Sequence, residues 1–556
     1  MLILWYNSND IMIIEIILAM VIVSMVLVLN VLYFYFKTNK ALLVFQQGAY
    51  SAKRMFTYMK ENYKYSYGIN ELCLLIAPII LLFKSSYVAL SLFIMFFFGY
   101  YNLRFYNLNT KRYDQKLKLK ITSRVKRLLI TLSLLVILIF GSVIFILNSY
   151  GYNFLSLNFY LYLYITFVLV VYFIFILVIL ANTINTPIEM MVRNHYKQLA
   201  KNKLAKIPNL EVIGIAGSFG KTSTKNIVGS ILAKKQPTLI SPASYNTPMG
   251  LTMTIDKELS NLYRYFVAEM GAYKPGEIRE LVNLVKPKYG IVTSVGHQHL
   301  ETFKSIENVT KTKMELIEGL PTNGLGIINY DNEYIRNYQI KNDVKVLTYS
   351  LQDDSCDIYG FDIKYQEQGM EFKFKLHNQT YSCSTKLLGR HNVENIMAAI
   401  LLADHLGYSI DDIISAIKRL APVKNRLELK RVNNKTIMID DAFNANEVGI
   451  KESIYILGQY QDKKRILITP GLIDLGSISK EIHHDLGKYL TKYVDQVMIV
   501  GDYNYQDIID GIKQTDFDLK RVKKYDNFLE AYRNAISIDE DKVILVANDL
   551  PDKFNN

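Results

Sequence analysis

Two hydrophobic patterns divide this chain. In the first third the apolar runs are long and nearly unbroken. Residues 12–36, 127–149 and 155–182 are each long enough to span a bilayer as a helix. Residues 69–102 form another run, interrupted only by Lys84-Ser85-Ser86, and read either as two short spans joined by a tight turn or as one long tilted helix. From residue 207 the pattern changes to short apolar runs alternating with amphipathic stretches, as in α/β domains. Candidate strands are 211–216, 264–269, 289–295 and 325–329. Residues 354–388 alternate at a period of two (Phe372, Phe374, Leu376) and predict antiparallel hairpins appended to that sheet. A helix is expected over roughly 392–406. After Pro422 a second strand–helix series begins, with strands near 436–440, 465–469, 496–500 and 542–547. The expected fold is a multi-span α-helical membrane domain (1–190), a basic linker (191–206) and two α/β domains (207–421 and 422–556).

Charge orients the first part. Of 556 residues half are hydrophobic, yet the formal net charge is +13. The loop 37–68 carries Lys37, Lys40, Lys53, Arg54, Lys60 and Lys64. The loop 103–126 carries Arg104, Lys111, Arg112, Lys116, Lys118, Lys120, Arg124 and Lys126. Basic loops stay on the cytoplasmic side, and both can do so only with five spans and the N-terminus outside. Everything after the fifth span is then cytoplasmic, and the expected location is a multi-pass one in a bacterial cell membrane. The first run lacks a basic flank and is too long for a cleavable signal peptide. The run Arg193–Lys206 reads as a solvated linker or as a segment that attracts anionic lipid. The positive-inside pattern accounts for the basicity, so no nucleic-acid partner is inferred. Three cysteines (Cys73, Cys356, Cys383) have neither metal-site nor disulfide spacing.

The most specific chemistry lies at Gly214-Ile-Ala-Gly-Ser-Phe-Gly-Lys-Thr-Ser223, between the strand 211–216 and a helix whose Ile227, Ile231 and Leu232 share one face. A glycine-rich turn opening a helix lets amide groups close around phosphates, and the helix end adds partial positive charge. Lys221 is placed to reach the outer phosphates and the Thr222 hydroxyl to hold Mg²⁺. Glu269 ends a strand on the side where that loop should lie and can complete the metal shell. His299 follows another strand and reads equally as a local loop histidine. Lys313 lies in a helix running from near Ser305 to Gly319, where a lone lysine is usually solvated. His483 and His484 fall in a late helix, where they read either as approaching the amine pocket or, as expected here, as lying on a surface face.

The glycine spacing at 214, 217 and 220 resembles the ATP loop of the Mur ligases, which join an amino acid or peptide to a carboxylate. Four further segments are similar to that family and occur in its order: His299-Leu-Glu-Thr-Phe303 with Val309–Ile317, Gly389-Arg-His-Asn-Val-Glu-Asn395, Pro422–Glu428 and Ile439–Asn446. The resemblance covers about residues 207–500 and is strongest to the branch that adds D-alanyl-D-alanine to UDP-N-acetylmuramoyl-tripeptide. It implies a central ATPase domain and a Rossmann-like C-terminal domain. By its pattern, Gly217, Ser218, Gly220, Lys221, Thr222, Ser223, Asn392, Asn395, Arg426 and Asp441 would hold ATP. Thr222, Glu269, His299 and Lys313, the last as a carbamate, would serve Mg²⁺. Lys221, His299, Lys313 and Arg426 would act in catalysis, and Asn246 matches a substrate-side loop. The implied reaction activates an acceptor carboxylate as an acyl phosphate, which an amino acid or dipeptide amine then attacks, leaving ADP and phosphate.

Three departures bear on the substrates. The membrane segment stands where the family has its UDP-sugar domain, so the resemblance admits a lipid-linked or polymeric acceptor. Phe443 and Glu447 replace a Tyr and a Pro of the family stretch, and the late segment Val546–Asp552 stands without the usual Lys-Gly-Ser-Arg segment. Poly-γ-glutamate synthases share the membrane-plus-Mur layout and offer an alternative, as does an ATP-binding membrane scaffold without turnover.

Overall fold

The computed structural model describes residues 2–67, 69–83, 88–113, 119–242, 245–296, 300–366, 369–422, 427–442, 447–472, 475 and 479–548. The chain divides into two compact units, Met1–Asn194 and His195–Asn556.

In the first unit the expected span 12–36 lies inside one helix, Leu2–Gln47. The run 69–102 is divided between helices that include Ile76–Phe83 and Val88–Tyr113. The turn expected at residues 84–86 lies outside the described residues. The run 155–182 is not one continuous helix, because Leu157–Tyr172 ends at Phe173 before Ile174–Ala205 begins. Among the described residues, two helices are long and apolar enough to cross a membrane, Ser123–Ser149 and Ile174–Ala205. Leu42, Phe45, Met55, Leu128, Leu132, Ile174 and Val178 form the inner core. Ile137 and Leu138 point outward, each 66 % exposed, so beyond its basic first turns the helix Ser123–Ser149 presents apolar side chains outward as well as inward. Two ion pairs tie these helices together: Lys37 lies 2.5 Å from the buried Glu71, which also accepts the Tyr33 hydroxyl. Arg127 holds both oxygens of Glu189 at 2.7 and 2.9 Å.

The second unit contains two sheets. The first has nine strands: β1 (Glu211–Ala216), β2 (Thr238–Ile240), β3 (Tyr265–Glu269), β4 (Tyr289–Val292), β5 (Leu325–Asn329), β6 (Lys345–Ser350), β7 (Ile358–Gln366), β8 (Gly369–Leu376) and β9 (Gln379–Thr385). Their order is β2-β3-β1-β4-β5-β6-β7-β8-β9. Strands β2 to β7 are parallel, and β7-β8-β9 close the edge as antiparallel hairpins. Parallel strands need a cover on both faces, so they read as continuous apolar runs. One face packs on the helices Lys221–Leu232, Arg390–His405 and Ile410–Ile417 through Ile227, Ile231, Ile396, Ile400 and Ile413. The other packs on Pro248–Lys257, Glu277–Val285 and Ile306–Glu318 through Leu251, Ile278, Leu281, Met314 and Ile317.

The second sheet contains β10 (Glu428–Asn433), β11 (Thr436–Asp441), β12 (Lys464–Thr469), β13 (Gln496–Val500), β14 (Val522–Tyr525) and β15 (Lys542–Ala547), in the order β10-β11-β15-β12-β13-β14. Only the pair β10–β11 is antiparallel. The final strand lies mid-sheet with all six residues buried. His483 corrects the expectation of a surface face. It is fully buried, its Nε2 accepts the Leu472 amide at 2.9 Å, and its Nδ1 pairs with the Ser479 carbonyl at 2.7 Å. Burial lowers its pKa, so the neutral ring fastens the turn after β12.

Candidate active site

The order β3-β1-β4 explains why distant residues meet. The three strands are parallel, with Ile215 beside Glu269 and Ala216 beside Val292. Their C-terminal ends therefore open on one edge, where doubly wound sheets place ligands. The glycine loop leaves β1 there. Gly217 has φ +153°, and a Cβ on it would meet Thr293 Oγ1 at 2.1 Å. Gly220 has φ +79°, and its Cβ would lie 2.8 Å from Asn395 Oδ1. Both positions need a residue without a side chain. The loop is tied to the end of β4. The Ser218 amide donates to the Ser294 carbonyl at 2.6 Å, the Phe219 amide to Ser294 Oγ at 3.1 Å, and Thr293 Oγ1 to the Phe219 carbonyl at 2.5 Å.

The helix Lys221–Leu232 then begins without a side-chain cap, since Gly220 is its N-cap and no acidic residue stands in its first turn. A helix amino end left this way favours an anion, which is the chemistry of a phosphate cradle. Ser223 lies in that first turn. Lys221 Nζ donates to the carbonyls of Gly217 and Ser218 at 2.8 Å each, so its charge lies over the loop.

Glu269 is the centre of a buried polar cluster. Thr222 Oγ1 donates to its Oε2 at 3.0 Å, Asn246 Nδ2 to its Oε1 at 3.0 Å, and Ser241 Oγ accepts its amide at 3.1 Å. Lys225 Nζ lies 3.2 Å from the same Oε2. Magnesium takes oxygen ligands at about 2.0–2.1 Å in an octahedron, which sets neighbouring ligands about 2.9 Å apart. Thr222 and Glu269 bring two hard oxygens together at 3.0 Å, the donor type Mg²⁺ takes, so the pair fits Mg²⁺ in place of its hydrogen bond, with phosphate and water oxygens supplying the rest. Asn246 thus supports the carboxylate directly.

Lys313 belongs to the same region. It is buried, and its Nζ lies 5.7 Å from the Phe303 ring centre. Burial brings its pKa down to about 7; the Lys221 charge adds to the depression, and Glu277 and Glu315 oppose it. A solvated lysine, the usual case, would do neither.

Asn392 and Asn395 occupy the first turns of the helix Arg390–His405. Asn392 Nδ2 donates to the Leu388 carbonyl at 2.7 Å, and Asn395 Oδ1 accepts Thr224 Oγ1 at 2.9 Å beneath the glycine loop. Asn395 Nδ2 is buried and has no hydrogen-bond partner among the described residues. Asp441 ends β11. Its oxygens accept the Leu427 amide at 3.1 Å and the Ser453 hydroxyl. His299 and Arg426 lie outside the described residues.

Two residues near these elements were not anticipated. Lys225 follows Thr222 by three residues and shares its helix face, a spacing readable from sequence. Glu394, between the two asparagines, accepts Asn329 Nδ2 at 3.1 Å. Burial raises its pKa to about 7 and Asp331 adds to the rise, while the Asn329 bond and Arg390 lower it.

Comparison with known proteins places this geometry. Residues 215–403 match the Mur ligase middle domain, and residues 425–548 match the Mur ligase glutamate ligase domain. The UDP-N-acetylmuramoyl-tripeptide–D-alanyl-D-alanine ligase of Escherichia coli K12 is 31 % identical over 296 residues, 53 % of this chain and 65 % of the relative. Its Bacillus subtilis counterpart is 28 % identical over 307 residues, 55 % of this chain and 65 % of the relative. The chain thus spans 65 % of the length of both relatives. A crystal structure of MurF from Acinetobacter baumannii superposes with a TM-score of 0.57 at 26 % identity, covering 64 % of this chain and 77 % of that one. A MurF ligase from Thermotoga maritima, solved in complex with ADP, shares the fold with a TM-score of 0.56 at 24 % identity, over 64 % of this chain and 80 % of its own. The two family matches together cover more than half of the chain, and with them it belongs to the Mur ligase family.

Proposed function

We propose that this chain is a membrane-embedded, ATP- and Mg²⁺-dependent ligase that joins an amine to a carboxylate in bacterial envelope assembly. The observation that carries the reading is the Thr222–Glu269 pair, 3.0 Å apart, at the mouth of an uncapped helix beside Lys221 and Lys313. The acceptor carboxylate attacks the γ-phosphorus of ATP, ADP leaves, and the amine then displaces phosphate from the acyl phosphate to form the amide. The loop 217–220 and the amide end of the helix orient the phosphates, and Lys221 turns from its loop carbonyls to the outer phosphate oxygens. Bound Mg²⁺ supplies charge withdrawal from those oxygens at the Thr222–Glu269 pair. Gly217, Ser218, Gly220, Ser223, Asn392, Asn395 and Asp441 complete the nucleotide contacts, and His299 and Arg426 are assigned to metal and γ-phosphate by family pattern.

Lys313 is suited to carbamylation. A neutral amine attacks CO₂, a C–N bond forms and one proton leaves, turning a cation into a carboxylate-like metal ligand. A pKa near 7 makes the neutral amine abundant at neutral pH.

The names of the relatives support UDP-N-acetylmuramoyl-tripeptide and D-alanyl-D-alanine as the first substrates to try. Lipid-linked and polymeric acceptors follow from the helical segment at 1–190. The exposed apolar side chains of Ser123–Ser149 support bilayer contact for that segment. In this reading five spans place the N-terminus outside, and residues 191–206 lead to cytoplasmic domains 207–421 and 422–556. The test is phosphate release by detergent-purified protein with Mg²⁺ATP, an amine panel and each acceptor, with Lys221→Ala as control. Release that needs both an amine and one acceptor, and is lost in the variant, supports the ligase. ATP binding without release for any pair refutes it for those substrates and favours a scaffold.

A further inference from the structure

Lys225 is a charge the reaction scheme does not use. It lies one helical turn beyond Lys221, is 1 % exposed, and places Nζ 3.2 Å from Glu269 Oε2. That oxygen is also the one Thr222 Oγ1 reaches at 3.0 Å. Both oxygens of the carboxylate therefore already have side-chain donors before any metal arrives: Thr222 and Lys225 on Oε2, Asn246 on Oε1. A buried carboxylate without such partners would be costly, so the pair gives Glu269 a counter-ion of its own. The same pairing makes the site poor for a free dication. Lys221 and Lys225 outnumber Glu269 in fixed charge, and a metal on Oε2 would stand within a few Å of the Lys225 ammonium, about the range where charges in protein interact strongly.

We propose that Lys225 is a positioning residue that makes metal binding conditional on nucleotide, holding the Glu269 carboxylate in place while opposing a divalent cation that arrives without a polyphosphate. The argument rests on reading Thr222 and Glu269 as the metal ligands. Nucleotide brings about four negative charges to the cradle at neutral pH, reversing the local balance and letting the cation share the carboxylate with the ammonium. Thr222 alone cannot provide this order of events, because a neutral hydroxyl neither repels a cation nor fixes a carboxylate against one. Lys225 in turn cannot serve the phosphates directly while it is held against Glu269 on the buried side of the helix.

The test uses Mn²⁺ as a paramagnetic stand-in for Mg²⁺, with the full chain in detergent and free Mn²⁺ read by electron spin resonance, with and without a non-hydrolysable ATP analogue. With the Mn²⁺ held by the analogue alone subtracted, the wild type is expected to bind Mn²⁺ at least tenfold more weakly without nucleotide than with it. Lys225→Met should bind Mn²⁺ without nucleotide at least tenfold more tightly than the wild type, and Lys225→Arg should behave as the wild type. Equal nucleotide-free affinity in the wild type and in a folded Lys225→Met overturns the proposal. The wild-type comparison stands even if Lys225→Met does not fold: Mn²⁺ binding that is independent of nucleotide also overturns it. Glu269→Gln separates the two layers. If nucleotide-dependent Mn²⁺ binding survives that substitution unchanged, the metal-ligand reading fails and Lys225 gating falls with it. If binding is lost in Glu269→Gln but Lys225→Met matches the wild type, only the gating fails.

Discussion

The Asn395 side-chain amide is paired at its oxygen and unpaired at its nitrogen among the described residues, and the unpaired end is informative. Its Oδ1 accepts Thr224 Oγ1 at 2.9 Å, whereas its Nδ2 is buried with no partner among the described residues. An orphaned buried donor costs roughly 1–3 kcal/mol, and this one lies beneath the glycine loop, where nucleotide is proposed to bind. If bound nucleotide offers it an acceptor, most of that cost is recovered on binding. Asn395→Leu removes the orphan and keeps a similar volume. It also takes the acceptor from Thr224, whose hydroxyl can turn to the Gly220 carbonyl one helical turn back. These effects oppose each other, so the ligand-free protein should change in stability by no more than about 1 kcal/mol. The double variant Thr224→Val/Asn395→Leu removes both polar groups and should be at least as stable as the single one. ADP affinity should fall by roughly 1–3 kcal/mol, or about five- to 150-fold. Calorimetric titration with ADP and thermal melting without it give the two numbers. Unchanged ADP affinity together with a clear loss of thermal stability would refute the reasoning and leave Asn395 as a strut of the core.

Lys313→Met should stabilise the protein at neutral pH. The folded chain favours the neutral amine down to about pH 7, against an ordinary lysine value of 10.5, so the unfolded state binds more protons between these values and wild-type stability rises with pH across that window. The variant should lose this slope in melting scans. The wild type, but not the variant, should gain the mass of one CO₂ under bicarbonate after chemical trapping. His483 acts in another window. Its folded pKa is lowered by burial, so its contribution is fully present above the unfolded value near 6.5 and is lost as pH falls below it. His483→Gln should flatten that acid limb and cost about 1–3 kcal/mol through the Leu472 amide. Finally, a Cβ on Gly511 would meet the His484 carbonyl at 2.0 Å, where the helices Ser479–Leu490 and Tyr505–Ile512 cross. Gly511→Ala should cost about 1–3 kcal/mol by overpacking and leave ADP affinity unchanged.

What the sequence made legible follows from which signals are local. The central strands β1, β3, β4, β5, β12, β13 and β15 are buried on both faces and read as apolar runs, whereas β2 has three residues and β14 is Val-Lys-Lys-Tyr, with too little apolar content to stand out. The glycine loop was legible because its chemistry is contained in ten consecutive residues. Its meeting with Glu269 was legible too, because a strand end on the side of the loop sets an acidic group beside Thr222, whereas the bond from Asn246, 23 residues away, was not, since it forms only once β2 and β3 pair.

Two residues carried usable signals that pattern reading passed over. His483 shares a helix face with Leu486, Gly487 and Leu490 at i+3, i+4 and i+7, all of them buried, so the apolar stripe itself identified the inward histidine of the pair. Lys225 stands in a helix whose neighbours Thr224, Ile227 and Val228 are also buried. A lysine inside an apolar helix face requires an acidic partner from another element. In this protein the partner is Glu269, the carboxylate proposed to hold the metal, so a residue that looks like a break in hydrophobic periodicity joins the folding of the helix to the electrostatics of the proposed site.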